Sequence, residues 1–543
     1  MTTLSAPTGF RGLFRTDEEA RAVYSEAAGI SRRVPRAVAV PVDVDDLVAL
    51  VKWATETRTP LTARGSGSSM PGGAITDDVI VDLSRWRSLG EVDAARRTIR
   101  VGPGVTRNEV DRAARELGLR FPVDPSSSPF CTVGGMASTN AAGAHSMRFG
   151  ATRPWVNALD CVFADGSRVE IRRGDPPPTD IPAVTRFLAS IDPADRADAA
   201  TWHRGVIKDS SGYGFADFLR TGDLVDLLVG SEGTLVFFAA VELRLIPIAN
   251  ATSSVLGAFA SLDDAVAAAA RAHEAGAVAC ELLDRTFLDV AAAGGERRVP
   301  EGTEAALLAE VEGDDDGAAG KAAKTVQRIF EETGATITRI ALDEHTETEL
   351  WELRHAASPI LSRLDPNLKS MQFIEDGAVP RESLSAYVRQ LREIFSRNAI
   401  RGVIFGHAGD CHIHANAMVD VRESEWRARV ERILDETVTL TAALGGTLSG
   451  EHGDGRIRSP FEDRVWPPRA VECFRRIKAA FDPAGILNPC VKVAPETADP
   501  LGEIKYDPTL SPLPSRAAAV LQRVERERAY ARFRLDLLDE VAR

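Results

Sequence analysis

The segment GHAGDCHIHANAM, residues 406–418, holds three of the nine histidines in this 543-residue chain, and GGTLSGEHGDG adds a fourth beside a glutamate. His407, His412, His414 and His452 thus fall in one 46-residue window, with Glu451 among them. Imidazole and carboxylate together are the ligand types of zinc, manganese and iron sites that keep a coordination position open for substrate. RGVIFG predicts a strand, HAGD a tight turn and HIHANAMV the returning strand, so His412 and His414 share one face about 7 Å apart by strand rise. His407 reaches them only through the fold-back, and spacing does not choose between His407 and His412 as a ligand. Extended backbone sends neighbouring side chains to opposite faces, so Glu451 and His452 are expected to diverge, one ligating while the other reaches a substrate.

Elements that could position this window are legible upstream. VPVDVDDLVALVKWATETRTPLTARGSG predicts an extended lead-in, a helix with Leu47, Leu50, Val51 and Ala54 on one face, and a strand entering a glycine-rich loop. The loop TARGSGSSMPGGA (62–74) lets backbone N–H groups converge on an anion, and Arg64 adds charge. Its spacing fits neither a P-loop nor a Rossmann fingerprint. Two further small-residue segments follow, PVDPSSSPFCTVGGMASTNAAGAHSMRFG (122–150) and KDSSGYG to LLVGSEGTL (208–235), so three loops suit a long ligand with extended backbone contact. From SSVLGAFASLDDAVAAAARAHEAGAVACELLD onward, strand–helix–strand units face one sheet, and the acidic run GDDDG reads as a solvated turn. Beyond Pro495 a proline-spaced linker leads to SRAAAVLQRVERERAYARFRLDLLDE, a charged helix with little apolar face, expected to be a surface appendage or partner contact.

The balance of 65 basic against 79 acidic residues, net −14, would repel a phosphate backbone and speaks against nucleic acid. No signal-peptide core and no 18-residue apolar run occurs, so a cytoplasmic location is expected, at most peripheral to the inner face of a membrane. Six scattered cysteines form no CxxC cluster, which excludes an iron–sulfur centre ligated in such a motif.

The ordered motifs PLTARGSGSS, DPSSSPFCTVGGMASTNAAG, LVGSEGTL, GHAGDCHIHAN, GGTLSGEHGDG and FDPAGILNPC resemble the flavoproteins of the vanillyl-alcohol oxidase/p-cresol methylhydroxylase (PCMH) type over residues 35 to 493. Within them the chain is similar to the D-2-hydroxyacid dehydrogenase branch: D-lactate and D-2-hydroxyglutarate dehydrogenases and the glycolate oxidase flavin subunit. The resemblance implies an α+β fold with four parts: a lead-in (1–34), a two-subdomain FAD-binding domain of the PCMH type (35–247), a substrate and metal domain with an antiparallel sheet (248–495), and a linker with the charged helix (496–543). Carried over, Arg64, Gly65, Ser66, Gly67, Ser68 and Ser69 would hold the pyrophosphate. Pro122, Thr132, Gly134, Gly135, Ser138, Asn140, Gly143 and Gly150 would line FAD, with Glu232, Gly233 and Thr234 on the adenine side and Asn488 at the flavin end. The first loop lacks the histidine that attaches FAD in covalent relatives, so FAD is expected to bind noncovalently.

The same resemblance implies a divalent metal, zinc before manganese or iron, on His407, His414 and Glu451, with His452 as general base and Arg354 clamping the substrate carboxylate. The implied reaction oxidises a D-2-hydroxy acid (D-lactate, D-2-hydroxyglutarate or glycolate) to the 2-oxo acid, with hydride passing to the flavin. Electrons would leave to a separate acceptor: an iron–sulfur protein, an electron-transfer flavoprotein or a quinone. A homodimer is compatible with this reading. The family often has glycine and asparagine where this chain has Cys411 and His412, and glycine where it has Cys490; the segment around Lys369, a cation that could meet a second carboxylate, departs from the family pattern. Alternatives are an FAD-linked oxidase using O2 or another alcohol, a flavin subunit of a larger iron–sulfur complex, and a metal hydrolase without flavin.

Overall fold

The structure, a computed structural model, describes residues 4–202, 205–293, 299–341, 343–355 and 367–541. The first lobe opens with the predicted β-α-β unit. Strand Ala37–Val40 leads into helix Val44–Thr57, which starts because the Asp43 side chain accepts from the Asp46 amide and stops where Arg58 turns left-handed. Strands Ala37–Val40 and Leu61–Arg64 both run parallel to Val79–Asp82, and Leu13–Arg15 from the lead-in adds an antiparallel edge. A second, five-stranded antiparallel sheet is centred on Val156–Phe163 and Val236–Arg244. Leu47, Leu50, Val51 and Ala54 are buried between the two sheets, in one cluster with Val162 and Phe237. The apolar stripe of that helix therefore joins the two subdomains.

The second lobe is an antiparallel sheet with strand order Ala335–Ala341, Ala251–Phe259, Ala305–Gly313, Ala279–Asp284, Arg401–His407, His412–Asp420, Leu368–Met371. One face is covered by helices Leu262–Glu274, Asp316–Glu332, Leu384–Arg397 and Trp426–Ala443. The first of these buries Ala265, Ala268, Ala269 and Ala272, small side chains that let helix and sheet approach closely. The acidic run at 314–316 is a helix start, where Asp315 caps the Ala318 amide. Helix Pro468–Phe481 then returns to the first lobe, with Phe474 and Phe481 packed among Phe187, Tyr213 and Phe163.

The C-terminal segment differs from the sequence expectation. Instead of one charged surface helix it forms two, Ser515–Glu527 and Arg534–Val541, separated by the left-handed Arg528. Ala517, Val520, Val524, Leu535, Leu537 and Leu538 share a core with Tyr24, Val38, Val40 and Ile80 of the first sheet region. On the first helix the buried positions are spaced three and four apart among charged residues such as the exposed Arg526, whereas Arg534 of the second helix is itself buried. Among the described residues no helix is long and apolar enough to cross a membrane.

Candidate active site

The strands Arg401–His407 and His412–Asp420 form the predicted hairpin, in which His407 pairs with His412 and Phe405 with His414. Directly paired residues share a face, so His407, His412 and His414 project to one side of the sheet. The connecting turn places Cys411 at φ 57°, and Cys490 lies at φ 66°. Both positions where the sequence has cysteine for the family's glycine are thus left-handed, a conformation glycine adopts without strain.

Three donor atoms converge beneath this face. His407 Nε2 and His414 Nε2 are 3.4 Å apart, and each lies 3.5 and 3.4 Å, respectively, from Glu451 Oε1. A tetrahedral ion with bonds of about 2.0–2.15 Å separates its ligands by about 3.3–3.5 Å, so the cluster has the dimensions of a zinc triad. The far ring nitrogens are occupied suitably. His414 Nδ1–H donates to the Glu375 carbonyl at 2.7 Å, and His407 Nδ1 meets Glu281 Oε1 at 2.5 Å. A carbonyl only accepts, so the proton of His414 sits on Nδ1 and the Nε2 lone pair faces the cluster. Residues, spacing and tautomer all fit a divalent cation.

His412 stands on the same face, in one group with His407, His414 and Glu451 whose ligand atoms lie within 4.8 Å of one another, and its Nδ1 is buried without a hydrogen-bond partner among the described residues. Its Nε2 bonds Asp376 Oδ1 at 2.8 Å, and burial, followed by Lys208, pushes its pKa down to about 3. Asp376 in turn accepts from the amides of Glu451 (3.1 Å) and His452 (2.9 Å) and from Arg458 Nη1 (2.7 Å). The loop carrying Glu451 and His452 is wrapped around this one carboxylate and is bent, with Gly453 at φ 83°. The expected divergence of Glu451 and His452 is therefore corrected: His452 Nε2 lies 3.5 Å from Glu451 Oε1. Their exposure differs, the His452 side chain being 29% exposed against 8% for Glu451. The His452 ring stacks on His414, and its Nδ1 is held 3.2 Å from Glu375 Oε1.

Burial lowers the pKa of both His407 and His452, but neighbouring carboxylates outweigh it. Glu281 lifts His407 to about 9, and Asp376 with Glu375 and Glu451 lifts His452 to about 9. Burial would raise Glu451, yet Lys208 and His407 hold it well below the usual carboxylate range. Lys208 Nζ is 2.6 Å from Glu451 Oε2, at an angle poor for a hydrogen bond but close for an ion pair. A cation entering the triad would displace protons from these groups.

Arg354 lies at the edge of the site. Its Nε donates to Glu281 Oε2 at 2.6 Å, so one carboxylate holds both Arg354 and His407, and its guanidinium covers the Phe405 ring at 4.7 Å. Lys369 pairs in register with Val419, on the sheet face opposite the histidines, with Nζ 5.9 Å from the Tyr506 ring. It stands away from the cluster.

The small-residue loops gather on the other side of the seam. A Cβ on Gly65 would stand 2.3 Å from Thr132 Oγ1, and one on Gly143 2.4 Å from the Asp124 carbonyl, so only glycine permits these approaches. Gly134, Gly135 and Ser138 lie on helix Val133–Thr139, capped by Thr132 and ended by the left-handed Asn140; Pro122 is buried before it, and Gly150 has φ 68°. Ser69 Oγ and Ser231 Oγ are buried without a hydrogen-bond partner among the described residues, as expected of a cradle for a polar ligand. Gly67, Ser66 and Ser68 complete the first loop, with Gly67 at φ 73°. Arg64 sits behind it, donating to the carbonyls of Tyr24, Glu26 and Ala74.

Two predicted FAD contacts use their side chains on protein. Glu232 accepts from the Asp454 and Gly455 amides and pairs with Lys492, while Asn488 bonds Thr62, Arg456 and the carbonyls of Gly73 and Glu232. Gly233, at φ 69°, and Thr234, bonded to Tyr213, keep the intervening turn in place. Sequence reasoning missed Lys208, Glu281, Glu375, Asp376 and Arg458. Their signals were present as charges inside otherwise apolar or glycine-rich runs: KDSSGYG, ACELLD, FIEDGAVP and DGRIRS.

Residues 35–172 match the family described as FAD binding domain, and residues 248–491 the C-terminal domain of FAD linked oxidases. The chain is 30% identical to the D-lactate dehydrogenase of Archaeoglobus fulgidus, covering 83% of this chain and 90% of that one. It is 28% identical to the glycolate oxidase subunit GlcD of Bacillus subtilis, covering 88% and 93%. Against the D-2-hydroxyglutarate dehydrogenase of Pseudomonas putida it is 28% identical, covering 89% of this chain and 50% of that one. Among solved structures, 4-ethylphenol oxidase from Gulosibacter chungangensis superimposes with a TM-score of 0.65 at 15% identity, covering 89% of this chain and 94% of that one.

Proposed function

Because this chain belongs to the FAD-linked oxidases, a family of flavin-dependent oxidoreductases, we propose that it oxidises a D-2-hydroxy acid to the 2-oxo acid and passes the electrons to a separate acceptor. The observation that carries the reading is the triad of His407 Nε2, His414 Nε2 and Glu451 Oε1, spaced 3.4–3.5 Å, with the partly exposed His452 imidazole 3.5 Å from its carboxylate. Bound FAD supplies a hydride acceptor, and a bound divalent cation supplies Lewis acidity toward a hydroxyl oxygen. His407, His414 and Glu451 would hold that cation, and the loops at 65–69, 132–150 and 231–234 the flavin nucleotide.

The chain's own residues account for the remainder. His452 would be the proton acceptor once a cation at the triad offsets the carboxylates that keep it protonated, because Glu375 holds its Nδ1 and leaves Nε2 turned to the triad. Arg354 has only Nε engaged among the described residues, so its Nη groups remain for the substrate carboxylate. Glu281 fixes Arg354 and His407 together, which couples carboxylate binding to the metal ligand. With Lys369 on the opposite face, this site favours a monocarboxylate, D-lactate or glycolate, over 2-hydroxyglutarate. The match to an FAD binding domain leaves no ground for a flavin-free hydrolase.

The test is anaerobic bleaching of the flavin by D-lactate, D-2-hydroxyglutarate, glycolate and the L-enantiomers, before and after chelation. Bleaching by one D-acid or glycolate, lost with the metal and restored by adding it back, is the expected result. A flavoprotein that none of these acids reduces would overturn the substrate reading.

A further inference from the structure

The C-terminal helix pair, residues 515–541, lies beyond the last residue matched to the family, 491, and puts a buried cation on the glycine-rich loop. Arg534 is 3% exposed, and its polar contacts are few and long: Nη2 to the Ser66 carbonyl at 3.3 Å and Nη1 to the Ala529 carbonyl at 3.4 Å. Its Nε is buried without a partner. Arg64, 2% exposed, holds only carbonyls, and Arg456, 6% exposed, bonds the Gly72 and Pro489 carbonyls and Asn488. Among the described residues no carboxylate lies within ion-pair distance of any of the three. At longer range Asp82 acts on Arg64 and Arg534, Glu26 on Arg64, and Asp77 and Asp78 on Arg456, but the Asp82 oxygens are taken by the Tyr24 hydroxyl and the Ser84 amide.

Withdrawing an ionised group from water without a counter-charge is strongly unfavourable, and three such groups around one loop multiply the cost. A ligand carrying two negative charges at that loop would remove it. We infer that the C-terminal helix pair is a resident part of the dinucleotide site, with Arg534 supplying positive charge to the pyrophosphate held by Gly65–Ser69. The same turn brings Tyr530 against Phe130 of the second cofactor loop, ring centroids 5.2 Å apart, and beneath the Arg534 guanidinium at 5.6 Å. The segment thereby touches two of the three loops expected to line FAD. The inference rests on the FAD-binding fold and holds whichever acid is oxidised.

The experiment compares Arg534→Gln and Arg534→Lys with the parent as full-length, flavin-free protein, reading the Kd for FAD from flavin fluorescence and the melting temperature with and without FAD. Arg534→Gln should weaken FAD about ten- to a hundred-fold, the range for one charge-assisted contact to a phosphate. Its flavin-free form should melt no lower than the parent, because an uncompensated buried charge has gone. Arg534→Lys should recover most of the affinity. A purely structural Arg534 gives the opposite pattern, a lower flavin-free melting temperature with unchanged FAD affinity. That pattern, or equal Kd values for the Gln and Lys variants, overturns the inference.

Discussion

His145 bridges the two lobes, and its removal gives a prediction whose size and pH dependence both follow from geometry. Its Nδ1 lies 2.5 Å from Asp124 Oδ2 in the first lobe and its Nε2 2.8 Å from Glu310 Oε1 in the second-lobe sheet. Burial alone would lower its pKa, but the two carboxylates raise it to about 11. The rise from 6.5, at about 1.4 kcal/mol per tenfold, sets a ceiling of about 6 kcal/mol. Breaking a buried pair by deleting one partner typically costs about 3–5 kcal/mol, and the 27% exposure of Asp124 favours the lower end. His145→Gln should therefore destabilise the protein by about 3 kcal/mol at pH 6. Because the folded value lies above the unfolded one, the contribution is complete below about 6.5 and is lost as pH climbs toward 11. Urea unfolding of parent and variant at pH 6, 7.5 and 9 should show the gap closing by about 1 kcal/mol or more per pH unit. A gap under about 1 kcal/mol at pH 6, or one unchanged between pH 6 and 9, would refute the charged bridge.

Three further outcomes are expected. His452→Asn should slow flavin reduction by the cognate acid about 10²–10⁴-fold with flavin content intact, and an unchanged rate in stopped-flow bleaching would exclude it as the base. Glu281→Gln, which loosens the outer hydrogen bond of His407, should weaken metal retention about 10–100-fold at pH 9, measured by competition with a chromophoric chelator; equal retention would show that Glu281 does not support a metal ligand. Leu537→Ala, in the C-terminal core, should cost about 2–5 kcal/mol in unfolding, whereas a loosely attached surface helix would lose under about 0.5.

The elements read correctly from sequence are those whose signals are local. Helix Val44–Thr57 carries its own cap and apolar stripe, and the histidine hairpin has two apolar strands around a turn, so periodicity sufficed. The proposed ligand set came from resemblance, since spacing left His407 and His412 equivalent; the fold adds that His412 Nε2 is engaged by Asp376, while His412 still shares a group with His407, His414 and Glu451. What escaped is non-local. Glu281 lies 126 positions from His407, and Asp376 75 from Glu451, so their roles exist only after folding. The face of Lys369 depends on a strand register, and the C-terminal pair hides four apolar positions on its first helix among arginines. The divergence expected of Glu451 and His452 assumed extended backbone, whereas the amides there bend around Asp376.

The loop carrying Glu451 and His452 is held by both lobes. From the first lobe, Glu232 accepts the amides of Asp454 and Gly455, and Ser210 bonds the carbonyls of Ser449 and Gly450. Lys492 joins Glu232, Asp454 and the Ser210 carbonyl in one fully buried knot. From the second lobe, Asp376 and Arg458 hold the other side. A shift of the loop by about 1 Å would stretch its hydrogen bonds to both lobes, and a misplacement of that size can cost about a hundred-fold in rate. Glycine at 450 and 453 is what lets the knot close, because a Cβ would meet the His412 ring at 2.5 Å or the Glu232 carboxylate at 2.6 Å. The distance between His452 and the small-residue loops is thus set during folding, by the same buried carboxylates that hold His407 and the Glu451 loop.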